Sequence, residues 1–151
     1  MAVSPAKAIL DTSIYLPFLR RADEIHDFEF LLRPTLLYMS SVVFAELYAG
    51  AKDRFTLRRL ERVYHTFDRL DRMVPPDKQV WFEAGQVLRQ FGLRHGFEAR
   101  GLVRITHDVL IALTARKIGA VVFTGNRRDF ERIREIRDFQ LRLYEEPTRP
   151  A

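Results

Sequence analysis

Three short apolar runs in this chain break off into hydroxyl or carboxylate residues, and each is followed by residues with helical periodicity. Residues 6–10 end before Asp11-Thr12-Ser13, residues 35–39 before Ser40-Ser41, and residues 120–123 before Thr124-Gly125-Asn126. An unbroken apolar run of this length suits a strand covered on both faces, the usual condition of a parallel sheet. Strands alternating with helices imply βαβ units. The expected fold is α/β, a central mainly parallel sheet flanked by helices. One domain over residues 6–144 is expected, between a loose arm at 1–5 and a flexible tail at 145–151. With 151 residues, the chain has enough material for one real core and too little for two comfortable ones.

Between the strands the pattern is helical. Residues 13–19 read as a short helix shortened by Pro17, and 20–32 as a second stretch stopped by Pro34. Residues 42–51 and 55–70 follow as helices, the latter with Arg58, Arg59, Arg62 and Arg69 on a solvated face. Met73-Val74 suits a brief edge strand, and Asp77 can cap a helix from Lys78 to about His95. Gly92, Gly96 and Gly101, interleaved with Arg94, Arg100 and Arg104, predict a mobile loop over 92–104. A helix capped by Thr106 is then expected over 107–118, with Asp108 in its first turn, and another over 129–136. The last strand is placed at 139–143.

The chain has no cysteine, which removes disulfide frameworks and thiolate metal sites. Lys plus Arg number 25 against 20 Asp plus Glu, a net charge of +5 compatible with a polyanionic partner or simply with solubility. No run approaches the roughly 20 apolar residues of a membrane span, and the N-terminus lacks the pattern of a signal peptide. A cytoplasmic protein without membrane association is expected.

In a doubly wound sheet, loops at the carboxyl ends of the strands share one crevice. Asp11 follows the first strand, Glu46 lies in the helix after the second, Asp108 opens the helix leading into the 120–123 strand, and Asp129 follows that strand. If those strands are neighbours, the carboxylates converge. Carboxylates brought together repel and demand a cation. Without thiolates, a hard ion such as Mg²⁺ or Mn²⁺ matches the donors. Such an ion beside Arg-rich segments suits phosphodiester hydrolysis. Thr12, Ser13, Thr124 and Asn126 are suited to hold the carboxylates or a phosphate oxygen by hydrogen bonds, and Thr12 or Ser13 can also cap the first helix.

Ile-Leu-Asp-Thr-Ser at 9–13, Ser-Val-Val-Phe-Ala-Glu-Leu-Tyr-Ala-Gly at 41–50, His-Asp-Val-Leu-Ile-Ala-Leu-Thr-Ala at 107–115 and Val-Phe-Thr-Gly-Asn-Arg-Arg-Asp-Phe at 122–130 resemble a PIN domain, more narrowly the VapC-type toxins of toxin–antitoxin pairs. Each block is weak alone, but all four occur in the family's order. The resemblance implies a Mg²⁺- or Mn²⁺-dependent endoribonuclease with Asp11, Glu46 and Asp108 on its core acidic positions. Where the family often carries an acid two residues after the motif's Thr, this chain has Asn126. Asp129 is read as the fourth acid and Asn126 as a neutral site partner, with one or two metals left open. The resemblance also implies an RNA substrate, a cognate antitoxin seated in a groove of the helices near residues 15–32 and 55–70, and a homodimer. A non-catalytic PIN-like module binding RNA or protein is the alternative. An aspartyl-phosphate domain is disfavoured because no second acid stands two residues beyond Asp11.

Overall fold

A computed structural model describes residues 4–20, 35–96 and 99–144. The helix expected at 20–32, apart from its first residue, and the tail expected at 145–151 lie outside the described residues. Five strands form one sheet in the order β3-β2-β1-β4-β5: β1 Lys7–Leu10, β2 Leu36–Ser40, β3 Met73–Val74, β4 Ala120–Thr124 and β5 Leu141–Leu143. Every pairing is parallel, a stricter arrangement than the mainly parallel sheet expected. Six helices flank the sheet among the described residues: α1 Thr12–Arg20, α2 Ser41–Gly50, α3 Arg54–Arg69, α4 Lys78–His95, α5 Ala99–Ile118 and α6 Arg127–Ile136.

The order of the strands decides where a site can form. The chain runs outward from β1 through β2 to β3, then returns to lay β4 and β5 on the other side of β1. Strand order reverses between β1 and β4, and such a switch point opens a crevice at the carboxyl ends. Register brings Leu10 opposite Phe123, so the residues just past these two, Asp11 and Thr124, are neighbours at the crevice.

β1 is the centre of the sheet, and Ala8, Ile9 and Leu10 are buried accordingly. Its apolar run needed no alternation because both faces are covered. The main core gathers Ile9 and Met39 from the sheet, Val43 and Leu47 from α2, Val109 and Ile111 from α5, and Phe130 and Ile133 from α6. Ser40 caps α2 by accepting hydrogen bonds from the amides of Val42 and Val43, and Asp77 caps α4 by accepting from that of Val80. Gly119, at φ +70°, ends α5 in the left-handed region that glycine enters without steric cost.

Four expectations are corrected. Residues 92–95 and 99–104 are helical, not part of a loop. Those through His95 finish α4, and α5 begins at Ala99, so Asp108 lies well inside a helix instead of in its first turn. Gly101 is tolerated there because its position faces open space. Thr106 does not cap a helix; its hydroxyl donates to the Leu102 carbonyl one turn back, at 2.6 Å. Nor do Thr12 and Ser13 precede α1 as caps: both lie within its first turn, and their hydroxyls donate to carboxylates of the crevice. Finally, Arg59 is not on a solvated face. It is 8% exposed, with its guanidinium 5.5 Å from the Phe55 ring centroid.

Candidate active site

Asp11 leaves β1 with its amide donating to the Phe123 carbonyl of β4 at 2.9 Å, which holds it against the neighbouring strand. Its Oδ2 accepts from the Ser13 hydroxyl at 2.8 Å and the Thr124 hydroxyl at 2.9 Å. Those hydroxyls are themselves oriented. Ser13 Oγ accepts from the Gly125 amide at 3.1 Å, and Thr124 Oγ1 from the Asn126 amide at 2.9 Å. With an acceptor lone pair engaged by an amide, each hydroxyl proton is directed at Asp11. Oδ1 receives none of these bonds and stays available.

Glu46 comes from α2. Its Oε1 accepts from the Thr12 hydroxyl at 3.2 Å, and Oε2 lies 3.7 Å from His107 Nδ1 on α5. Asp108, the residue after His107, is 7% exposed. Asn126 Nδ2 lies 3.5 Å from Asp108 Oδ2 and 3.3 Å from Asp129 Oδ2. Asp129, on the first turn of α6, is half-buried.

Electrostatics tie these acids together. The Asp108 carboxyl is pushed from the ordinary 3.8 to about 8, first by burial and then by the charges of Asp11, Asp129 and Glu46, with Arg104 opposing. The fold thus brings Asp11, Glu46 and Asp129 within reach of the charge on Asp108, and Thr12, Ser13, Thr124 and Asn126 all bond to one or more of these four sequence-predicted acids. His107 and Arg104, not among the predicted site residues, also reach these acids, His107 at Glu46 and Arg104 at Asp108. Their signal was available in their spacing from Asp108, one residue and one helical turn away, once a helix rather than a loop is assigned to 99–106.

No group of three His, Asp or Glu side chains among the described residues is arranged to hold a metal ion as it stands. The donor chemistry nevertheless fits one. The acids are carboxylates, there is no thiolate, and the buried Asp108 resists ionisation until positive charge approaches. Apart from these acids, a groove of about 430 Å³ is lined by Leu16 and Leu19 of α1, Leu47 and Gly50 of α2, and Phe55 and Thr56 of α3. No helix among the described residues is long and apolar enough to cross a membrane.

The family model of the PIN domain matches residues 8–136. The chain belongs to the PIN domain family, as its motifs suggested. Among solved structures it is similar to DNA-bound VapBC from Salmonella typhimurium, at 25% identity and TM-score 0.64, over 91% of this chain and 98% of that one. It also shares its fold with VapBC-1 from nontypeable Haemophilus influenzae, at 23% identity and TM-score 0.63 over 90% and 96% of the two chains. VapBC-5 from Mycobacterium tuberculosis, a member of the VapBC family of toxin–antitoxin systems, matches at 21% identity and TM-score 0.52 over 92% and 98%. These neighbours are consistent with the VapC-type resemblance. No curated protein matched the sequence.

Proposed function

We propose that this chain is a divalent-metal-dependent endoribonuclease acting as the toxin of a toxin–antitoxin pair. The observation that carries the reading is the convergence of acids on Asp108: burial first, and then the charges of Asp11, Asp129 and Glu46, push its carboxyl to about 8. A protein maintains such repulsion at a cost to stability, and a bound cation offsets it.

In this reading Asp11, Glu46, Asp108 and Asp129 hold Mg²⁺ or Mn²⁺. When bound, the ion supplies an activated water and counter-charge for a phosphoryl group under in-line attack. Ser13 and Thr124 hold Asp11 through Oδ2, which would leave Oδ1 free to serve as a ligand. Thr12 and His107 hold Glu46. Arg104, exposed one turn before Asp108, is placed to receive an RNA phosphate, and the +5 net charge favours the approach of a polyanion. No side chain is needed as a nucleophile.

The partner reading rests on the groove between α1, α2 and α3. Apolar walls from Leu16, Leu19, Leu47 and Phe55 suit the apolar face of an antitoxin helix. The resemblance to VapC-type toxins implies a homodimer, and a cytoplasmic location belongs to the same reading.

Asp11→Asn and Asp108→Asn test the reading. Each is expected to reduce Mn²⁺-dependent cleavage of total RNA by more than about 100-fold, the upper range for losing a residue that only supports a metal ligand. Unaltered cleavage by both variants would refute the carboxylate mechanism.

A further inference from the structure

Asn126 occupies the N-cap position of α6, and asparagine is among the best N-cap residues. Yet its side chain makes no capping hydrogen bond. Its Nδ2 instead stands between two carboxylates, 3.3 Å from Asp129 Oδ2 and 3.5 Å from Asp108 Oδ2. Its main-chain amide reaches a third acid, donating at 2.9 Å to Thr124 Oγ1, which donates in turn to Asp11. The residue thus gives up its local task in the helix and touches three acids of the site, directly or through one hydroxyl.

The amide group carries two hydrogens, one available to each carboxylate. Placed there, it does part of what a cation between the two acids would do. It supplies positive hydrogens to facing oxygens and takes up one oxygen of each. A carboxylate at this position would have the same shape and no donor. It would repel both neighbours and add a ligand.

We propose that Asn126 clips Asp108 to Asp129 in place of a cation, so that the carboxylates of this site together bind one divalent ion and not two. The inference rests on the metal-dependent reading above and specifies its stoichiometry.

Asn126→Asp and Asn126→Ala test it through Mn²⁺ titration followed by electron paramagnetic resonance, with thermal unfolding in EDTA and in Mn²⁺. The wild-type chain is expected to bind one Mn²⁺, and N126D two. In EDTA, N126D should melt several degrees below wild type, and Mn²⁺ should restore it. N126A, which removes the clip without adding charge, should keep one Mn²⁺ and melt lower in EDTA. Wild-type protein that binds two ions or none, N126D that still binds one, or an unchanged N126A melting point in EDTA would each overturn the proposal. Wild-type protein that binds one Mn²⁺ but cleaves no RNA would refute the nuclease reading while supporting the role of Asn126.

Discussion

Asp108→Asn should make the metal-free protein more stable while removing its activity. The folded Asp108 carboxyl titrates near 8, against 3.8 ordinarily. Between those values the folded state keeps a proton that the unfolded chain has released, so stability falls as pH rises through the window. The slope reaches about 1.4 kcal/mol per pH unit. From pH 4 to pH 7 this accumulates to a ceiling of about 4 kcal/mol. Side-chain rearrangement and water entry lower it, and about 2–4 kcal/mol is a realistic span. Asparagine has the same shape and no proton to lose, so the variant escapes this penalty. At about 2–4 °C per kcal/mol for a domain of this size, the variant should melt roughly 5–15 °C above wild type at pH 7 in EDTA. At pH 4 the gap should close. Mn²⁺ should raise the wild-type melting point and leave the variant nearly unmoved. Circular dichroism melts across pH 4–8, with and without Mn²⁺, give the comparison. A variant no more stable than wild type at pH 7, or a gap that does not widen with pH, would refute the linked titration.

Thr124→Val keeps the shape of a fully buried side chain but removes the donor to Asp11 and the acceptor for the Asn126 amide. It should cost about 1–3 kcal/mol in urea unfolding and about 10–100-fold in Mn²⁺-dependent cleavage; wild-type cleavage would show that Asp11 needs no such support. Arg59 has a buried Nη1 with no hydrogen-bond partner among the described residues. Arg59→Met should therefore raise stability by about 1–2 kcal/mol in the same assay, and a loss of that size would show that the guanidinium is better solvated than its burial implies.

The sheet was the most legible part of the chain. Val121 and Val122 in an unbroken apolar run could hardly be anything but a buried strand, and even the two-residue Met73-Val74 strand was signalled by the Pro-Pro that follows it. The start of α5 was not legible. Gly96 and Gly101 among arginines resemble loop composition, and Thr106-His107-Asp108 resembles a helix opening. Gly101 faces open space, so its missing side chain is no loss to packing and the helix bears only glycine's backbone-entropy cost. The acids of the site could be nominated one by one from the motifs. Their supports could not be fully assigned, because a hydroxyl at a strand end suits a helix cap and a carboxylate partner equally well. Ser40 took the first option, while Ser13 and Thr12 took the second. The deciding contacts are tertiary: the pairing of β1 with β4 brings Thr124 and Gly125 to Asp11 and Ser13, and the packing of α2 brings Glu46 to Thr12.

That pairing also sets a clock. The hydrogen bond from Thr124 to Asp11 joins residues 113 positions apart. A chain emerging from the ribosome at about 5–20 residues per second presents Asp11 several seconds or more before its partner strand. If the proposed nuclease reading holds, the chain is harmless to the ribosome and messenger that are making it until β4 has been made, and chains truncated before β4 would lack the activity.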